Sequence, residues 1–173
     1  GIISSPSRRK LIVAGPGTGK TTIFKRLLEA AQGDRKTRLV LTFIRTLTAD
    51  LDRALGGLAQ VSTLHGYCQS LLHKHPALRG GLTEKFRCVP GLASLVKTDW
   101  EIINGSPSPE FLKAMRELKH IPELGFYFER ADYYDAVDFD DSVFRVATSL
   151  RSNEELIGKL HLILIDEFQD FNA

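Results

Sequence analysis

The sequence predicts an α/β fold: a parallel sheet flanked by helices, with a small all-helical insert. Three observations carry this. Short apolar runs alternate with helical patterns through residues 11–73, the rhythm of parallel strands joined by crossover helices. A glycine-rich turn stands between the first apolar run and the first helical pattern. From about Pro76 the texture becomes helical, and a strand pattern, Leu162 to Ile165, returns near the end.

Each element has a local reason. Leu11-Ile12-Val13-Ala14 follows Arg8-Arg9-Lys10 and reads as a buried strand. After the glycine turn, Ile23, Phe24, Leu27 and Leu28 share one helix face, and Gly33-Asp34 closes that segment. Residues 38–43 read as a second strand and residues 46–55 as a second helix, ended by Gly56-Gly57. Val61-Ser62-Thr63 is a short third strand, and residues 66–73 are helical. In the insert, Leu92, Leu95, Val96, Trp100 and Ile103 fall at helical spacing. Ser108-Pro109 reads as N-cap and first residue of a helix carrying Phe111, Met115 and Leu118. Asp140-Asp141 opens another, with Val143, Phe144, Ala147 and Leu150 on its inner face. The predicted boundaries are 1–76 with 136–173 for the sheet-bearing part and 77–135 for the insert.

Composition narrows the class. With 43% hydrophobic and 25% charged residues, the 173-residue chain is ordinary globular protein, not a disordered one. Lys plus Arg total 23 against 21 acids, and the net charge of +2 neither argues for nor excludes a nucleic-acid partner. Two cysteines, Cys68 and Cys88, are too few for a disulfide scaffold, so a reducing, cytoplasmic setting is expected. No apolar run approaches bilayer length, and the N-terminus lacks the pattern of a signal peptide. Without a starting Met, and stopping after Ala173, the sequence reads as a piece of a longer protein.

The turn Gly15-Pro16-Gly17-Thr18-Gly19-Lys20-Thr21 has the chemistry of a phosphate loop. Glycines let backbone N–H groups turn inward and approach oxygens closely, and the following helix N-terminus adds positive partial charge. Ala14 to Thr22 would surround the phosphates, with Lys20 reaching the β- and γ-phosphates and Thr21 ligating Mg²⁺. The strict pattern wants Gly where Ala14 stands, a one-methyl departure. ATP chemistry also needs a carboxylate for Mg²⁺ and a base for water. Asp166-Glu167, at the C-terminal end of an apolar strand, supplies both. Asp166 is expected on Mg²⁺ and Glu167 as the base.

These residues resemble a family. The stretch from Ala14 to Thr21, with Asp166-Glu167-Phe168-Gln169-Asp170, is similar to the UvrD/Rep type of superfamily 1 DNA helicases, where the Ala14 departure is usual. Leu41-Thr42-Phe43-Ile44-Arg45 through Asp50-Leu51 resembles that family's motif Ia, and Ser62-Thr63-Leu64-His65-Gly66-Tyr67-Cys68 its motif Ib. Val137-Asp138-Phe139-Asp140-Asp141 resembles the segment before the acidic box. The resemblance implies a RecA-like ATPase domain with an accessory insert. It implies ATP-driven translocation on single-stranded DNA, usually 3′ to 5′, unwinding at duplex junctions, and a role in repair or recombination. It makes Gln169 a γ-phosphate sensor, alongside Lys20 and Glu167 in catalysis. It puts Thr42, Phe43, Arg45, Thr63 and His65 on DNA.

Absent from the sequence are an upstream adenine-recognising glutamine and anything after the acidic box, including a second RecA-like domain with arginine fingers. The chain alone is therefore expected to be inactive and to need the C-terminal remainder of its protein. Rival readings are a nucleotide- and DNA-binding module without turnover, and a small-molecule kinase. Gln169 and the Thr63–x–His65 segment speak against the kinase. Aromatics, Arg and hydroxyls at Phe43, Arg45, Thr63, His65 and Tyr67 suit nucleic acid, but Phe43 equally fits a strand's core. Cys68, His73, His75 and Cys88 match no zinc spacing. The acids Asp135, Asp138, Asp140 and Asp141 are explained by a helix macrodipole without a metal.

Overall fold

Three parallel strands organise the first part of the chain. β1 (Arg38–Thr42) is central, with β2 (Gln60–Thr63) on one side and β5 (Leu162–Ile165) on the other. Leu41 is in register with Ser62 and with Ile165, and Thr42 with Thr63. Backbone bonds prolong the β1–β5 ladder at both ends, from His161 N to Thr37 O at 2.7 Å and from Asp166 N to Leu41 O at 2.8 Å. This is a computed structural model, describing residues 7, 9–13 and 17–168. The α/β class with a parallel sheet is as predicted.

The chain divides into two compact units, residues 1–64 with 158–173, and residues 65–157. In the first unit, α1 (Lys20–Ala30) and α2 (Arg45–Leu55) flank the sheet. Phe24 and Leu28 of α1 and Leu51 and Leu55 of α2 meet Val40 and Leu164 in one core cluster. Fully burying a side chain of this kind, as at Leu28, Leu55 and Val40, stabilises by roughly 1.5–3 kcal/mol. The central strand is buried from Leu39 to Thr42, as expected of a strand covered on both faces.

One expected strand is not formed. Leu11, Ile12 and Val13 belong to no strand, and Leu11 and Val13 are 77% and 91% exposed. A short apolar run becomes a strand only where an edge accepts its N–H and C=O groups. Among the described residues, β5 pairs with β1 and carries no ladder to 11–13.

The second unit is mainly helical. It holds α3 (Leu64–Lys74, from its second residue on), α4 (Leu92–Asn104), α5 (Phe111–Arg116), α6 (Leu124–Tyr133) and α7 (Phe139–Leu150). Its core joins Leu92 and Val96 of α4, Phe111 and Met115 of α5, Tyr127 of α6 and Phe144 of α7. The sequence placed the α5 start at Pro109, but the helix begins at Phe111 after Glu110, and it ends before Leu118, which has φ 49°. Leu95 and Ile103, expected on the inner face of α4, are exposed. A two-residue parallel pair, β3 (Arg87–Cys88) with β4 (Ala136–Val137), went unpredicted, as did α6.

Asp138 fastens two helix starts in this unit. Its Oδ1 accepts from Phe139 N at 2.6 Å, and its Oδ2 accepts from Ala93 N, in the first turn of α4, at 3.3 Å. The predicted opening acids Asp140 and Asp141 lie in the first turn, two and three residues past the cap. Asp138→Ala leaves both amides without these acceptors, so urea denaturation should show a loss of about 1–2 kcal/mol. An unchanged midpoint would mean that the double cap is energetically idle.

Candidate functional site

The loop before α1 turns through two left-handed glycines, Gly17 at φ 74° and Gly19 at φ 86°. Space does not dictate glycine here. A Cβ on Gly17 would meet nothing within 4 Å, and one on Gly19 only Thr22 at 3.9 Å. The backbone conformation does, because side-chain-bearing residues disfavour positive φ. Gly19 caps α1 without a side-chain acceptor, and no acid lies in the first turn. An anion therefore suits the amides and positive end of this helix. Lys20, Thr21 and Thr22 form that first turn, with Thr21 and Thr22 exposed. Ala14, Gly15 and Pro16, expected at the phosphates, lie outside the described residues, as does Gln169.

The acidic turn comes to the same place. Lys20 Nζ forms an ion pair with Glu167 Oε1, joining residues 147 apart in sequence. Glu167 sits just past β5 with φ 49°, in the left-handed region that costs a non-glycine residue energy. Its neighbour Asp166 is 9% exposed and is held in line by its backbone bond to Leu41. Burial raises the Asp166 carboxyl above the usual carboxylate range, the negative charge of Glu167 adds to the rise, and Lys20 opposes it. Lys20 is raised in turn, first by its hydrogen bond to Glu167. Two adjacent carboxylates stand beside one lysine, and the carboxylate of Asp166 and the hydroxyl of Thr21 are hard oxygen donors of the kind that Mg²⁺ takes.

The residues expected on DNA differ in their surroundings. Thr42 is fully buried at the end of β1, and its Oγ1 accepts from Ile44 N at 3.2 Å. Phe43 is 39% exposed, and Arg45 is exposed at the first position of α2. Thr63 ends β2, directly across from Thr42. His65, in the helical unit, is half-buried, and burial lowers its pKa against the pull of Asp140 and Asp138. Sequence reasoning did not single out the ring beside it, Phe139, whose centroid lies 5.0 Å away. The signal was available only as the apolar residue within the 137–141 segment.

The family model described as AAA domain matches residues 2–173. The chain belongs to this AAA-domain family. Its kinship within the family is with UvrD/Rep helicases, as the motifs implied. It is 25% identical over 207 aligned positions to the ATP-dependent DNA helicase UvrD1 of Mycobacterium leprae. It is 27% identical over 206 positions to the protein of the same name from Mycobacterium bovis and from Mycobacterium tuberculosis. Each alignment covers 94% of this chain, and the chain spans about 27% of the length of these relatives.

Proposed function

We propose that this AAA-domain chain is the ATP-binding part of an ATP-dependent DNA helicase. ATP hydrolysis is coupled to movement along single-stranded DNA and to duplex unwinding, serving DNA repair or recombination in the cytoplasm. The observation that carries the reading is the meeting of Lys20 with Glu167 beside Asp166, which unites the phosphate loop and the acidic turn at one sheet edge. Ligands of open α/β sheets bind at that carboxyl edge.

The backbone N–H groups of Gly17 to Thr21 and the Lys20 ammonium bind the phosphates, with Ala14, Gly15, Pro16 and Thr22 completing the loop. Thr21 and Asp166 hold Mg²⁺, which when bound neutralises phosphate charge. Nucleotide entry requires Lys20 to exchange its Glu167 partner for phosphate oxygen, and that exchange frees Glu167 to accept the proton of the attacking water. Gln169 senses the γ-phosphate. Phe43, Arg45, Thr63 and His65 contact single-stranded DNA, and Thr42 fixes the Phe43–Arg45 turn from beneath. Residues 77–135 serve as an accessory insert to the ATPase part, 1–76 with 136–173. Catalysis requires the rest of the polypeptide.

Calorimetry of Mg²⁺–ADP binding tests the site. Lys20→Ala should weaken binding on the order of 10- to 100-fold, the worth of a hydrogen bond to a charged group. Equal binding by wild type and variant would refute the phosphate-loop assignment. Phosphate release by the intact protein, with and without single-stranded DNA, separates a helicase motor from a binding module.

A further inference from the structure

We propose that Asn104 is a site of spontaneous covalent modification, cyclising with Gly105 to a succinimide that water opens to aspartate or isoaspartate. Asn104-Gly105 is the one Asn-Gly pair in the sequence; Asn153 precedes Glu154 and Asn172 precedes Ala173. Ring closure brings the following backbone nitrogen onto the asparagine Cγ, and a Cβ on that following residue stands in the way. Glycine has none.

The fold places this pair where the backbone is lightly held. Asn104 is the last residue of α4, and residues 105–110 form neither helix nor strand. Residues 104–107 are exposed, so water reaches the site and ammonia leaves it. Gly105 has φ 63°, in the left-handed region, and a Cβ there would meet nothing within 4 Å. Two bonds must open before the ring can close. Gly105 N donates to Glu101 O at 3.0 Å, and Asn104 Nδ2 donates to Trp100 O at 3.2 Å. Both belong to the final turn of the helix, where opening costs least. Asn153 has a comparable tie, from its Nδ2 to Ser149 O at 2.8 Å, but the side chain of Glu154 follows it.

The reaction balances with water alone. Hydroxide takes the Gly105 amide proton, the nitrogen attacks Asn104 Cγ, and the Cγ–Nδ2 bond breaks. The side-chain nitrogen takes a proton from water and leaves as ammonia. Water then adds to one of the two ring carbonyls. Addition at Cγ gives aspartate on an unchanged backbone. Addition at the backbone carbonyl leaves the chain running through Cγ, as isoaspartate. Either product loses the donor to Trp100 O and sets a carboxylate against the negative end of α4. The buried α4 residues Leu92, Ala93 and Val96 lie in its first half, so the last turn loosens while the core stays packed.

The test incubates the full chain under native conditions at mildly alkaline pH and follows it by peptide mapping, with an isoaspartyl methyltransferase to count the rearranged product. The fragment holding Asn104 should gain the mass difference between amide and acid, as aspartate and isoaspartate together. Its rate should rise with pH, because attack needs the deprotonated amide. That rate should lie within about 10-fold of the rate in the urea-unfolded chain, since opening a helix end costs little. Asn104→Gln, whose longer side chain closes a ring far more slowly, should leave the fragment unchanged. Conversion in the unfolded chain alone would show that the end of α4 protects the pair, and would overturn the proposal. Aspartate without isoaspartate would overturn the succinimide route, and conversion at Asn153 as fast as at Asn104 would remove the part given to Gly105.

Discussion

Glu167→Gln in the intact protein should retain nucleotide and lose turnover. The amide cannot take the proton of the attacking water, and removing a general base typically costs on the order of 10²- to 10⁴-fold. The structure adds an expectation that the base assignment alone does not. Lys20 is occupied by Glu167, so nucleotide must compete with that carboxylate for the ammonium. The amide competes less well and does not repel phosphate. Glu167→Gln should therefore bind ATP more tightly than wild type while hydrolysing it far more slowly. Asp166→Asn should separate from it, since Lys20 pairs with Glu167 and Asp166 is the proposed Mg²⁺ ligand: its binding defect should appear only with the metal present. Single-turnover hydrolysis and calorimetry on both variants decide the matter. Near wild-type hydrolysis by Glu167→Gln would place the base elsewhere, and unchanged ATP affinity would show that the Lys20–Glu167 pair does not oppose entry.

Much of the candidate site was legible because its chemistry is carried by residue type at fixed local spacing. Gly17, Gly19, Lys20 and Thr21 announce a loop and a helix start, and Asp166-Glu167 after an apolar run announces a strand end. The ion pair that joins them was not legible, because no periodicity links residues 147 apart. Helices α1, α2 and α7 were readable from apolar repeats of 3.6. β3 and β4, two residues each, are too short to show a period of two. Leu11 to Val13 had the right composition for a strand, but strand formation depends on a neighbouring edge that composition does not report. Thr42, which the resemblance put on DNA, is fully buried because β1 is the central strand, a position that its local sequence does not report. The acids of residues 138–141 were read as generic helix-start charges, whereas each has a distinct partner: two amides for Asp138, Arg116 for Asp140, Arg145 for Asp141. The i,i+4 spacing of Asp141 and Arg145 was the one visible clue.

That last pair leads to the largest expected effect on stability. Arg145 is 7% exposed and spends its whole guanidinium inside the helical unit. Nε donates to Asp141 Oδ1 at 2.7 Å, one terminal nitrogen to Arg79 O at 2.7 Å, and the other to Asp132 Oδ1 at 3.0 Å. Its Cζ lies 4.7 Å from the centre of the Phe128 ring. Arg145→Met fills similar space but strands Asp141, whose Oδ2 already lacks a hydrogen-bond partner. Leaving one member of a buried pair alone costs about 3–5 kcal/mol. The loss should depend on pH with a definite sign. Burial pushes the Asp141 carboxyl up to about 6, against the attraction of Arg145. Its pKa is thus higher folded than unfolded, so the folded chain binds the extra proton and stability falls as pH rises from about 4 through 6. Without Arg145 the carboxyl rises further. Arg145→Met should then be tolerated better at pH 5, where Asp141 can be neutral, than at pH 8, where folding must bury a bare charge. Asp141→Leu combined with Arg145→Met removes the stranded charge and should recover most of the loss. Urea midpoints of the single and double variants at both pH values test this. A single-variant loss that is equal at pH 5 and pH 8, or that the second substitution fails to relieve, would show that Arg145 stabilises through Arg79, Asp132 and Phe128 and not through Asp141.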